Sequence, residues 1–173
     1  MAAAAAASAK APAPSPAPAF FDPCPAATST AKARHGLQDI ELRCLGKGPR
    51  VNLARLRGPM LVNVWASWCE PCQAEVPELQ AFYVKAKGKV GLLGIDFTDR
   101  DASAQDFAGH IGMTYPSVVD PDGETHFKSF LAAGPPETIF LAADGSVAFR
   151  KTGPFKDLAE IERLVREHLG VTV

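Results

Sequence analysis

An α/β fold, a central mixed β-sheet flanked by helices, is predicted for this 173-residue chain from three features. Residues 60–97 read strand–helix–strand, with nearly continuous apolar runs at both ends, as expected of strands covered on both faces. Residues 137–151 read as two strands around Ala142-Ala143-Asp144-Gly145, an antiparallel hairpin with Asp-Gly turn chemistry. Residues 157–169 then place Leu158, Ile161, Leu164, Val165 and Leu169 on one helical stripe.

The remaining elements follow in chain order. Residues 1–36 are rich in Ala, Pro, Ser and Thr, with prolines at 12, 14, 16 and 18, which predicts a disordered tether favouring extended polyproline conformations. The folded domain is therefore expected over 37–173. Residues 37–45 and 50–53 alternate as an N-terminal hairpin extension that turns at Gly46-Lys47-Gly48-Pro49. A strand over 60–66 leads into a helix over 69–87, with Pro71 in its first turn, where a missing N–H is tolerated. Pro77, inside that helix, is expected to kink it. A strand over 90–97, a helix over 102–111 and a short strand over 116–119 come next. Asp120-Pro121-Asp122-Gly123 turns into a helix over 124–131.

Composition narrows the function. Hydrophobic residues make up 47% and charged residues 21%, enough for a core under an ordinary polar surface. A net charge of −1 supplies no general field for nucleic acid or an anionic membrane. No run approaches the roughly 18 apolar residues that cross a bilayer. The alanine-rich start lacks the basic and bulky apolar regions of a signal peptide, so an export signal or anchor is expected to have preceded Met1. Arg43, Lys47, Arg50, Arg55 and Arg57 read as a solvated hairpin edge. The four histidines show no metal spacing, and neither metal nor cofactor is expected.

Trp68-Cys69-Glu70-Pro71-Cys72 carries the chemistry. Two cysteines two residues apart at a strand-to-helix junction can close a small disulfide ring. The unpaired N–H groups and macrodipole of the helix start favour thiolate over thiol at the first of them. Cys24 and Cys44, with nineteen residues between them, are expected to form a second, structural disulfide. Two separate buried thiols, or half of a zinc site, are the rival readings of that pair.

The stretch from Val64 to Pro77, VWASWCEPCQAEVP, resembles thioredoxin-fold proteins of the TlpA/ResA/CcmG (DsbE-like) family. Gly134-Pro135-Pro136-Glu137-Thr138 followed by Asp144-Gly145 resembles the family's cis-proline loop and terminal hairpin. The resemblance implies a thioredoxin fold and a protein disulfide oxidoreductase. It makes Cys69 the attacking and Cys72 the resolving cysteine, in agreement with their places at and below the helix start. Pro136 corresponds to the cis-proline that sets substrate backbone beside the disulfide. Pro135 replaces a more usual branched residue and lacks an N–H donor. Trp68, Glu70 and Pro71 are expected to join these prolines in substrate binding. Glu75, three residues past Cys72, matches a glutamate that tunes thiol pKa in the ResA-like subset, while Asn63 stands where thioredoxins carry a buried aspartate.

The expected function is extracytoplasmic reduction of disulfides in exported proteins, apocytochrome c among them, in a periplasmic or cell-envelope setting. Electrons are expected from a membrane thiol–disulfide carrier. A carboxylate at Glu70 disfavours the Cys69 thiolate and so favours a reductant. An oxidase that introduces disulfides is the same-class alternative. A copper-binding or copper-delivery module is the alternative from another class, although the copper chaperones of the wider superfamily use a longer cysteine spacing.

Overall fold

The computed structural model describes residues 21–26, 29–127 and 134–173. Seven strands form one sheet in the order β2-β1-β5-β4-β3-β6-β7. They are β1 (Glu41–Cys44), β2 (Val51–Asn52), β3 (Met60–Trp65), β4 (Gly91–Phe97), β5 (Ser117–Asp120), β6 (Glu137–Leu141) and β7 (Val147–Thr152). Strands β3, β4 and β5 run parallel, and the other pairings are antiparallel. The helices among the described residues are α1 (Glu70–Ala86), α2 (Asp101–Ile111), α3 (Glu124–Phe127) and α4 (Leu158–Leu169). This is the thioredoxin-type arrangement that the order of elements predicts.

Strand alternation sorts the core into two layers. Leu61, Trp65, Leu92, Val119 and Phe140 face one side, where α1, α2 and α4 contribute Val76, Leu79, Phe82, Ala104, Ala108, Ile161 and Val165. Val62, Val64, Leu93, Ile95, Val118 and Ile139 face the other, under Leu37, Ile40, Leu42, Leu53 and Leu56. The central strands are thus buried on both faces, which explains their unbroken apolar sequence. Asp157 caps α4 by accepting from the Glu160 N–H at 2.8 Å, and Gly170 ends it in the left-handed region. Helix α1 runs on through Pro77 to Ala86.

The N-terminal segment differs from the tether expected through residue 36. Phe21 is buried in the helical layer, Asp22 N–H donates to Thr114 O at 2.8 Å, and Tyr83 OH donates to Asp22 Oδ2 at 2.6 Å. Cys24 N–H donates to Lys47 O, and Ala33 N–H to Ala54 O. Buried Phe21, Cys24 and Leu37 supply the apolar contact that a composition average over 36 residues conceals. The rest of the expected tether, residues 1–20, 27 and 28, lies outside the described residues, as do residues 128–131 of the helix expected after Gly123. Among the described residues no helix is long and apolar enough to cross a membrane.

The basic stretch is also more engaged than a solvated edge. Arg43 forms a two-oxygen ion pair with Asp101 at 2.5 and 2.6 Å, and Arg57 donates to Ala31 O at 2.7 Å. Guanidinium groups here tie the hairpin and the N-terminal segment to the domain.

Candidate active site

Strand β3 ends at Trp65, and four residues, 66–69, lead into α1 at Glu70. Cys69 is the N-cap residue, with φ −88° and ψ 101°, and Cys72 N–H donates to Cys69 Sγ at 3.3 Å. Sulfur therefore occupies the place where a capping oxygen usually satisfies a free helix N–H. Pro71 falls in the first turn, where its missing N–H costs no hydrogen bond. Ser67 O accepts from Gln73 Nε2 at 2.7 Å, and Cys69 N–H donates to Ala66 O at 3.2 Å, so the junction is bonded on both sides.

Cys69 and Cys72 are joined in a disulfide, with Cα atoms 5.2 Å apart. Cys72 is sealed at 0% exposure and Cys69 shows 4%, so what little of the pair reaches solvent belongs to Cys69. Trp68 beside it is 56% exposed, whereas Trp65 is fully buried. The two tryptophans divide the work: Trp65 packs in the core at 5.7 Å from the Phe107 ring, and only Trp68 offers an apolar outer surface. Glu70 is exposed on the first turn.

The Pro135-Pro136 peptide is cis, with Pro136 buried and Pro135 half-buried. Strand β6 begins at the next residue, and Val64 pairs with Glu137 across the β3–β6 ladder. Continuing that antiparallel register by one step puts Pro136 opposite Trp65, at the same end of the sheet as the disulfide. Pro136 O accepts from Gly153 N–H at 2.9 Å, which holds the loop to β7.

Glu75 lies one turn below Cys72 and is fully buried. Its Oε1 accepts from Asn63 Nδ2 at 2.8 Å and its Oε2 from Phe155 N–H at 3.0 Å. Asn63 Nδ2 also donates to Thr138 Oγ1 at 3.0 Å. Burial pushes the carboxyl up to about 7, against the opposing pull of those two hydrogen bonds and of the Lys151 charge. Glu75 is thus a buried acid able to take or give a proton near neutrality. Asn63, at the strand position expected to have lost an acid, anchors it.

Cys24 and Cys44 form the second disulfide, with Cα atoms 5.9 Å apart. It fastens the N-terminal segment to β1 on the face away from α1. Among the described residues no three metal-ligating side chains group together. Residues not singled out from the sequence also reach the redox loop: Asp99 Oδ2 accepts from Ser67 N–H at 2.7 Å, and Thr98 O accepts from Trp68 Nε1 at 3.2 Å. The signal available was the acidic residues 99 and 101 directly after an apolar strand. The C-terminal edge of a parallel sheet is where such side chains meet a site.

Residues 33–150 match the model of the AhpC/TSA family. The chain is 32% identical over 119 residues to the thiol:disulfide interchange protein CycY of Rhizobium leguminosarum bv. viciae, covering 68% of this chain and 62% of CycY. It is also 32% identical over 135 residues to the thiol:disulfide interchange protein HelX of Rhodobacter capsulatus, covering 77% of this chain and 75% of HelX. The crystal structure of a secreted thiol-disulfide isomerase from Corynebacterium glutamicum superposes with a TM-score of 0.64 at 28% identity, over 78% of this chain and 83% of that one. The chain spans less than two thirds of CycY but three quarters of HelX, and the residues matched by the family model, 33–150, include the disulfide-capped helix and the cis-proline loop described above. It belongs to the AhpC/TSA family and, within it, to the TlpA/ResA/CcmG group of thioredoxin-fold thiol–disulfide oxidoreductases.

Proposed function

We propose that this protein exchanges disulfides with other proteins outside the cytoplasm and acts chiefly as a reductant. The observation that carries the proposal is the Cys69–Cys72 disulfide capping α1, with the exposed fraction of the pair on Cys69. In the reduced protein, Cys69 thiolate attacks a substrate disulfide. One substrate sulfur leaves and takes a proton, and a mixed disulfide forms at Cys69. Cys72 then loses its proton and attacks the Cys69 sulfur, releasing the second substrate thiol. Two electrons pass to the substrate, and the joined Cys69–Cys72 pair is the product. A thiol donor, proposed to be a membrane dithiol carrier, returns the two electrons.

Helix α1 favours the attacking thiolate through its free N–H groups and macrodipole. Glu75, buried one turn below Cys72, receives the proton that Cys72 must shed. Exposed Trp68, Glu70 and Pro71 with the Pro135-Pro136 loop form the edge on which substrate backbone docks as an added strand. Pro135 contributes its carbonyl but no N–H, so this edge pairs through fewer donors than one with a branched residue there. The Cys24–Cys44 disulfide and the secreted relative support an oxidising, extracytoplasmic location. The family resemblance supports apocytochrome c among the substrates. Residues 1–36 are proposed to include the link that tethers the domain to the envelope.

Trapping tests the reading. A Cys72→Ala variant should accumulate mixed disulfides on Cys69 with exported thiol proteins, and recovery of none would remove the proposed chemistry. A reduction potential near about −270 mV supports the reductant, and one near about −120 mV identifies an oxidase.

A further inference from the structure

The strap of chain between β7 and α4 joins two parts of the site. At one end Gly153 N–H donates to Pro136 O at 2.9 Å, and at the other Phe155 N–H donates to Glu75 Oε2 at 3.0 Å. The two carbonyls between those donors both meet one side chain. Lys151 Nζ donates to Gly153 O at 3.1 Å and to Pro154 O at 2.7 Å, and it lies 5.0 Å over the Phe155 ring. Pro154 has no N–H to place, so each backbone polar group from Gly153 N to Phe155 N has a partner. The Phe155 ring is itself anchored, 5% exposed and edge-on to Phe140 in the helical layer.

Lys151 also stands in the sheet row that holds the acid from its other side. It pairs with Thr138 across β6–β7, and Thr138 pairs with Asn63 across β3–β6. Side chains paired in this way share one face, here the face that α1 covers. Asn63 Nδ2 bonds both Thr138 Oγ1 and Glu75 Oε1, so one Glu75 oxygen is held from β3 and the other from the strap. Burial raises the Glu75 carboxyl, and the two hydrogen bonds and the Lys151 charge oppose it. The other ionisable groups nearby are engaged or neutral. Tyr115, wholly buried ahead of β5, has its hydroxyl pushed well above the ordinary range by burial. Glu78 of α1 accepts from Leu158 N–H at 2.9 Å, and Asp157 and Glu160 accept backbone N–H groups at the start of α4. Glu137 and Arg150 pair on the opposite face of the sheet.

We propose that Lys151 is a positioning residue for the thiol chemistry: by holding the Gly153 and Pro154 carbonyls, it keeps the Phe155 N–H on Glu75 and the Gly153 N–H on Pro136. This rests on the thiol–disulfide reading above. Glu75 must be ionised to receive the Cys72 proton, and the N–H that the strap delivers stabilises that ionised form. The ammonium acts in the same direction through its charge. Without Lys151 the two carbonyls lose their shared donor, the strap loosens, and Glu75 keeps its proton to higher pH. Pro136 loses its tie to β7 in the same event. One side chain thus sets both the proton acceptor and the docking edge.

Titration of the Glu75 carboxyl by NMR tests this first, on the whole chain in its disulfide form so that no thiol titrates beside it. The midpoint should lie near about 7 in wild type and rise by about half a pH unit or more in Lys151→Met. Lys151→Arg, which keeps the charge and the donors, should stay close to wild type. Where Lys151→Met does not fold, Lys151→Gln carries the same test with a smaller rise. The rate of reducing a model protein disulfide should follow. Its Glu75 limb should move to higher pH in Lys151→Met, a loss of about threefold below the midpoint, and should not move when Lys151→Met is added to Glu75→Gln. At about pH 9, with Glu75 ionised in either protein, the remaining deficit should be a KM raised about twofold or more. An unmoved midpoint, an equal rise in Lys151→Arg, or a profile that still shifts without Glu75 overturns the proposal, and an unchanged KM removes the tie to Pro136. The NMR midpoint needs no turnover, which separates the two readings. Turnover in Cys69→Ser sinks the thiol chemistry, whereas a dead Cys69→Ser beside an unmoved Lys151→Met midpoint sinks only the role of Lys151.

Discussion

The two disulfides of this chain are both largely buried, Cys44 being the one half-buried member, and they are differently placed. Cys24 is 3% exposed and Cys69 is 4% exposed, so solvent access alone does not distinguish a fastener from a reactive centre. Cys24–Cys44 joins positions 20 apart and pins a coil to β1. Cys69–Cys72 joins positions 3 apart, at a helix N-terminus whose free N–H groups stabilise a thiolate. One bond restricts the unfolded chain, and the other lies where a helix start favours opening and re-forming it by thiol–disulfide exchange. Reactivity is a property of the surroundings of a sulfur, not of its burial.

The sharpest break in this comparison is substitution of each pair. Cys69→Ser should abolish turnover of a protein disulfide, whereas Cys24→Ser with Cys44→Ser should retain it; equal losses in a turnover assay would erase the distinction. The second pair should instead show its effect on stability. Closing a 20-residue loop contributes about 3 kcal/mol in the chain-entropy model, to be read as a lowered denaturant midpoint in the double serine variant. An unchanged midpoint would mean that the packing of Phe21 and Leu37 suffices to hold the segment.

A buried acid lies under the redox pair, and this sharpens the contrast. The Glu75 carboxyl is raised from 4.5 to about 7 in the folded protein. Between those values the native state holds a proton that the unfolded state has released, so stability falls as pH rises through the window. Glu75→Gln should flatten that fall. At about 1.4 kcal/mol for each unit, the gain above neutrality approaches about 3 kcal/mol, measured by urea unfolding at several pH values. The same variant should shift the pH profile of disulfide reduction, and an identical profile would remove Glu75 from proton transfer.

The smallest expected effect concerns the floor of the site. A methyl group at Gly94 would run into Ser117 Oγ and Trp65 Nε1, both buried. Gly94→Ala should cost about 1–3 kcal/mol by overpacking and alter Trp65 emission. A fully tolerated substitution would show that the strand under the redox loop has slack.

Local pattern made much of this molecule legible. Period and turn chemistry placed β3, α1, β4 and the β6–β7 hairpin within a residue or so, because each carries its signal within a few neighbours. The redox motif was legible for the same reason: Cys69, Pro71 and Cys72 act through one turn of helix. Residues 21–36 were harder, since Pro- and Ala-rich composition hides the few side chains, Phe21 and Leu37 among them, that reach the core.

Glu75 marks the boundary between the two kinds of information. Spacing put it on the same helix face as Cys72, but its burial and its bonds to Asn63 and Phe155 join segments up to 80 residues apart. Thr98 and Asp99 lie wholly on the tertiary side, because their partners at Trp68 and Ser67 belong to another strand's loop. The amino-acid order by itself determined which atoms can exchange disulfides, since helix capping and thiol chemistry are short-range. Folding decided which acids stand beside them and when those acids are charged, because desolvation and through-space repulsion depend on what the sheet brings together.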